Sequence, residues 1–141
     1  MNTKQYLGQI RRYDKMINNK LSEIYQLKTL ATSISVATDG DRVQSSGNKD
    51  RMGNTVAKLV DLQRETEKLI QMYTEKRQVI ILQIDDIADS NFYDVLFHRY
   101  IEGKTFEAIA ANMNYSWRQV VRIHDDALRA FESQYGSIYM S

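Results

Sequence analysis

The chain has 141 residues, 43% hydrophobic and 26% charged, with a formal net charge of +1, the size and balance of one globular domain or of a small globular unit joined to a longer one. It has no cysteine, which excludes disulfides, thiolate catalysis and thiolate metal sites, and no proline, which removes the commonest helix breaker and favours long helices. No apolar run approaches the ~20 residues that span a bilayer, and Met1 to Tyr13 carry Lys4, Arg11 and Arg12 without the continuous apolar stretch of a secretory signal, so the expectation is a soluble, cytoplasmic protein with no membrane partner.

From Thr3 to Ala31 the apolar side chains Tyr6, Ile10, Tyr13, Ile17, Leu21, Ile24 and Leu27 recur in steps of three and four. That spacing lays one stripe along an α-helix. A second stripe runs through Val56, Leu59, Leu62, Thr66, Ile70, Tyr73, Ile80, Ile84 and Ile87, interrupted by polar Thr66 and by a gap near Arg77. At ~1.5 Å per residue each helix spans roughly 40–50 Å, and neither buries its stripe alone. Net charge is +4 over residues 1–32 and −2 over 55–89, so the two helices suit each other as an antiparallel hairpin. The stripes suit equally a seam between two chains, and the expected partner is a second copy, a homodimer through residues 3–31 and 55–88.

Between the stripes, residues 32–54 read as a long mobile loop, because Asp39-Gly40, Ser45-Ser46-Gly47-Asn48 and Gly53-Asn54 are turn chemistry. Ser33 to Val36 is long enough for a short edge strand. Asp89-Ser90-Asn91 then supplies cap-forming residues ahead of three short helices. The first covers Phe92 to Ile101 and buries Val95, Leu96 and Tyr100, with Gly103 placed for a left-handed cap. Thr105 caps the second, Phe106 to Met113, whose inner face is Phe106, Ile109, Ala110 and Met113. Asn114 tolerates positive φ in the turn. Ser116 caps the third helix, and Gln119 completes an S-x-x-Q capping box. That helix buries Val120, Ile123, Ala127 and Leu128 and runs to about Phe131, leaving residues 134–141 as a tail that docks weakly or stays loose.

The architecture expected is all-α: a two-helix coiled-coil arm over 1–89, a helix-turn-helix domain over 90–133, and the tail. Small Ala110, the Asn114 turn and Val120 let two short helices cross closely, as a helix-turn-helix requires. On the second helix Trp117, Arg118, Val121 and Arg122 face away from the core, and Arg118 and Arg122 lie one turn apart, spaced for guanine edges or phosphates. Asn114, Tyr115 and Ser116 sit at its N-terminus, where phosphate oxygens are favoured. These seven residues are the candidate DNA-binding set, and double-stranded DNA is the expected partner. Against a nucleic-acid role stands the net charge of −1 over 90–141.

The ordered pattern Val95-Leu96, Arg99-Tyr100, Gly103 to Ala110, Met113 to Ser116, Val120, Arg122-Ile123 and Ala127-Leu128 resembles region 4 of sigma-70-type sigma factors, the module that recognises the −35 promoter element. It covers about 40 residues. The resemblance implies that Ser116, Trp117, Arg118, Val121 and Arg122 occupy DNA-facing places; Trp117 and Val121 depart from the polar or basic residues usual there. The whole chain, including Val43 to Gly47 and Tyr115 to Val120, is similar to small phage and prophage proteins related to the ArpU and RinA late-operon transcriptional regulators. That resemblance implies control of phage genes.

Catalytic signals are weak. His98, expected beside the core, and His124, expected to face solvent or a partner, are the only histidines. Asp85-Asp86 and Asp125-Asp126 diverge by ~100° on a helix and make no dyad. No phosphate-binding glycine loop or nucleophile elbow is present. The expectation is a non-enzymatic transcriptional regulator without catalytic residue, metal or cofactor. Two alternatives are a phage terminase small subunit-like packaging protein and an adaptor that grips RNA polymerase without DNA affinity.

Overall fold

The computed structural model describes residues 1–40 and 46–140. All regular structure among them is helical: a long antiparallel helical hairpin followed by a bundle that contains a helix-turn-helix. Helix α1 (Thr3–Leu7) starts from a capping box in which Asn2 Oδ1 accepts the Gln5 amide at 2.8 Å and Gln5 Oε1 accepts the Asn2 amide at 2.9 Å. It runs through Gly8, whose backbone is still right-handed (φ −72°, ψ −9°), into α2 (Gln9–Gly40). Then come α3 (Ser46–Asp85), α4 (Ser90–Leu96), a single π-helical turn (Phe97–Ile101), α5 (Phe106–Met113) and α6 (Trp117–Tyr139).

The chain divides into two compact units, Met1–Tyr13 with Tyr73–Ser141, and Asp14–Met72. The division differs from the expected arm over 1–89. The base of the hairpin belongs to the globular unit, because Tyr6, Leu7, Ile10, Ile80, Ile84 and Ile87 share one core with Leu96, Tyr100, Ile101, Ala127 and Phe131. Phe131 is fully buried at its centre, and Tyr6 stacks on Tyr139 with ring centroids 4.2 Å apart. Tyr6 donates its hydroxyl hydrogen to Gln83 Oε1 at 2.6 Å, satisfying both buried polar groups. The expected tail over 134–141 is helical as far as Tyr139. Tyr135 and Tyr139 follow Phe131 at steps of four, extend the apolar stripe of α6 and pack against the core.

In the second unit the inward positions follow a strict alternation of three and four residues: Ile17, Lys20, Ile24, Leu27, Ala31 and Ile34 on α2, and Thr55, Leu59, Leu62, Thr66 and Leu69 on α3. This is a heptad seam. The sequence expectation placed Leu21, Val56 and Ile70 in the stripe; all three are exposed, and Lys20, Thr55 and Leu69 take the inward places instead. The polar members are tolerated because each has a partner. Lys20 Nζ lies 3.7 Å from Glu65 and 3.8 Å from Glu23. Thr66 and Thr55 donate to the carbonyls of Leu62 and Arg51 at 2.7 and 2.8 Å.

Those intrahelical bonds also correct the loop expected over 32–54. Residues 32–40 and 46–54 are helical, and 41–45 lie outside the described residues. Serine and threonine favour turns because their hydroxyls compete for backbone groups. Here the hydroxyls of Thr29, Thr32 and Ser33 donate to carbonyls four residues back, at 2.9, 2.9 and 3.0 Å. The heptad continues through Ala31 and Ile34, so Ser33 is part of a helix and no edge strand forms there.

Candidate nucleic-acid interface

Asp89 opens the path to the helix-turn-helix by capping α4, its carboxylate accepting the Asn91 and Phe92 amides at 2.9 and 3.1 Å. The expected Phe92–Ile101 helix starts at Ser90 and changes pitch at Phe97, where the Glu102 amide reaches back five residues to the Phe97 carbonyl at 3.1 Å. The wider turn brings consecutive residues Tyr100 and Ile101 both into the core. Gly103 follows with φ +71°, a conformation that favours glycine, while an added Cβ would only need the flexible end of the Arg11 side chain to move aside.

Thr105 caps α5 by accepting the Ala108 amide at 3.1 Å. At the other end Asn114 takes the left-handed conformation (φ 57°, ψ 38°), and the Asn114 and Tyr115 amides both turn back onto the Ala110 carbonyl. Ser116 Oγ accepts the Gln119 amide at 3.1 Å, and Gln119 Oε1 accepts the Ser116 amide at 2.9 Å. This is the capping box expected from sequence, and it occupies the Gln119 carbonyl oxygen. Val95, Ile109, Ala110 and Val120 form a separate small core beneath the crossing, flanked by Phe106, Met113 and Ile123. Ala110 permits the close approach of α5 and α6, and Val120 is fully buried.

Most of the seven predicted residues gather on one surface. Asn114, Tyr115, Ser116, Trp117, Arg118 and Arg122 are exposed, Trp117 at 53%. Val121 is half-buried and marks the edge of that face. At i, i+4 spacing, Trp117 and Val121 form one row along α6 and Arg118 and Arg122 a second beside it. No carboxylate among the described residues pairs with either arginine, whereas Lys104 is held by Glu102 at 2.9 Å and Arg129 by Asp126 at 3.3 Å. The capping box leaves the Trp117 and Arg118 amides as open donors at the start of α6. The face therefore offers unpaired positive charge, hydrogen-bond donors and one large aromatic surface.

Behind it lies a buried polar brace. His124 is buried rather than solvent-facing, since it continues the inward series Val120, His124, Ala127, Phe131. Its Nε2 is 2.7 Å from the Tyr100 hydroxyl. The imidazole stacks on Tyr100 at 5.7 Å and meets the Phe106 ring edge-on at 5.0 Å. Arg99 closes the group by placing its guanidinium 4.2 Å from the Phe106 centroid and donating to the Lys104 carbonyl at 3.1 Å. Burial lowers the His124 pKa, helped by the positive charge of Lys4 and opposed by Asp125. Burial also pushes the Tyr100 hydroxyl up to about 12. His98 is half-buried and bonds Glu102 at 3.0 Å. Lys104, with His98 as a second partner, holds the Glu102 carboxyl below its ordinary value. Sequence reasoning missed the Tyr100–His124 pair, although the position of His124 on the buried stripe was the available signal.

Among the described residues no group of histidine and acidic side chains could hold a metal ion, and no helix is long and apolar enough to cross a membrane. Comparison with protein-family models, with curated proteins and with solved structures gave no match to this chain.

Proposed function

We propose that this chain is a sequence-specific double-stranded DNA-binding protein acting in transcription control, as a homodimer, with the first two turns of α6 entering the major groove. The observation that carries the reading is the pair Arg118 and Arg122, exposed and without a carboxylate partner on a helix fixed by its cap and its buried face. Arginines at this spacing suit guanine edges or flanking phosphates. The hydroxyl hydrogen of Ser116 and the open amides of Trp117 and Arg118 suit phosphate oxygens, and Trp117 suits a thymine methyl or a sugar. Control of phage or prophage genes is the setting that the resemblance to late-operon regulators supports.

In vitro selection from random duplexes by the full-length chain tests the proposal. The expected result is an enriched motif whose binding weakens only gently with salt. Each neutralised phosphate adds ~0.9 to the logarithmic salt slope, and few cations are available here. A second reading, an adaptor that grips RNA polymerase, draws on the apolar surface of Trp117 and Tyr115 beside the arginines. Absence of any DNA affinity at low salt, together with polymerase binding that requires Trp117, selects that reading.

A further inference from the structure

Within residues 14–72 the heptad seam is poor. Among the described residues only Ile17, Ile24 and Ile34 are buried apolar residues, and Thr55 and Thr66 are buried with them. Five large apolar side chains of the same unit stand in solvent nearby: Leu21 and Tyr25 on α2, and Val56, Val60 and Ile70 on α3, between 39% and 72% exposed. Leu21, Val56 and Ile70 each follow an inward residue (Lys20, Thr55 and Leu69), and Tyr25 and Val60 lie one turn beyond Leu21 and Val56. In an antiparallel pair, residues that follow corresponding seam positions flank the seam on the same side. The five therefore form one apolar band on one side of the helix pair.

We infer that this band is the contact surface for a second copy of the chain, packed face to face about a two-fold axis that crosses the band at Gln63, at the level of Glu23 on α2. The inference rests on the homodimer reading and is independent of DNA binding. The arrangement of the band supports it. On α3, Val56 and Ile70 stand one on each side of Gln63, seven residues away in each direction. On α2, Leu21 and Tyr25 stand equally about Glu23. The Lys20–Glu65 contact of 3.7 Å sets the register of the two helices and brings Glu23 level with Leu62 and Gln63. One axis then serves both helices, laying Leu21 against the partner's Tyr25 and Val56 against the partner's Ile70. A closed, isologous contact requires such self-matching.

Charge follows the same symmetry. Lys28 lies beyond the axis on one side and Glu67 at a similar distance on the other; both are exposed, and neither is ion-paired among the described residues. The axis brings Lys28 to the level of the partner's Glu67, and Glu67 to the partner's Lys28. Among the described residues the opposite flank of the pair carries three exposed apolar side chains against the band's five: Met16 and Leu30 stand seven residues on either side of Glu23, but Met72 has no apolar counterpart about Gln63, where Asn54 takes that place. Pairing through the band converts a thin two-helix layer into a four-helix layer with an apolar interior.

Sedimentation equilibrium on the full chain, with helix content followed by circular dichroism, tests this. The native chain is expected at twice its monomer mass in the micromolar range. Leu21→Glu with Ile70→Glu is expected to give a monomer, whereas Met16→Glu with Met72→Glu leaves the dimer intact. Lys28→Glu alone is expected to weaken association by about tenfold, and adding Glu67→Lys in the same chain restores it. This charge-reversal pair keeps the test open should the glutamates in the band prevent folding. A monomeric native chain, a ring-sized assembly, or a dimer indifferent to both the band and the charge reversal overturns the inference. Arg118→Ala is expected to lose DNA affinity at unchanged mass, so failure of the DNA reading is distinguishable from failure of the dimer.

Discussion

Replacing Tyr100 by phenylalanine removes one oxygen from the buried brace and keeps the ring that stacks on His124. Both residues are almost fully buried, and the hydroxyl is 2.7 Å from His124 Nε2, so no water readily takes its place. His124 Nδ1 is 3.6 Å from the Asp125 carboxylate; with the proton on Nδ1, Nε2 accepts from Tyr100 and becomes an unsatisfied buried acceptor in the variant. Such a group costs about 1–3 kcal/mol. Adding His124→Leu removes the stranded acceptor as well, and the double variant is expected to be less destabilised than the two single changes added together.

The brace also sets two pH limits. Below about pH 6.5 an unfolded His124 takes up a proton that the folded chain, with its lowered pKa, refuses until lower pH. The unfolded state then binds more protons, and stability falls as pH drops through that window. At the alkaline end the unfolded Tyr100 ionises from its ordinary value of 10.0, while the folded hydroxyl holds its proton to about 12. Stability falls as pH rises through that interval, and Tyr100→Phe makes the fall shallower. Urea denaturation from pH 5 to 11 measures all of this. A Tyr100→Phe variant as stable as the native chain at pH 8, or a native stability that rises on acidification below pH 6.5, refutes the brace.

Two further changes probe other parts of the fold. Gly103→Ala is expected to cost about 1–2 kcal/mol, because alanine resists the left-handed backbone and its Cβ displaces the Arg11 guanidinium; thermal melts check it, and Arg11→Ala in the same chain is expected to recover the steric part. Thr66→Val is expected to leave stability unchanged or raise it by up to ~1 kcal/mol, since the Leu62 carbonyl keeps its helical partner and a buried hydroxyl is replaced by a methyl group. A loss of more than ~1 kcal/mol on denaturation contradicts that account of the seam.

How legible these features were depended on whether the signal was local. Thr105, Asn114 and the Ser116–Gln119 box could be read from the sequence because a cap is decided by two or three neighbouring residues, and each forms the expected bonds. The arm shows the opposite case. Apolarity favoured Leu21 over Lys20 and Val56 over Thr55, and a step of four from Thr66 chose Ile70 over the equally apolar Leu69, yet the heptad keeps Lys20, Thr55 and Leu69 inside. Lys20 has two carboxylates to reach and Thr55 a carbonyl one turn back, and neither gain is visible in a hydropathy pattern. The turn-like composition misled over 32–40 and 46–54, where, for example, the hydroxyls of Thr32 and Ser33 serve the helix rather than breaking it. On α6 the outward surface was legible from the capped start and the inward Val120. His124 was misplaced because a polar side chain was weighed above its spacing on the stripe.

The most direct test of the account compares binding of a selected duplex and a scrambled one, at one fixed salt concentration, by the native chain, Arg118→Ala and Arg122→Ala. The expected result is that each variant folds normally and loses about 1–3 kcal/mol of discrimination between the two duplexes. If both variants discriminate as well as the native chain, the outward face of α6 does not read DNA.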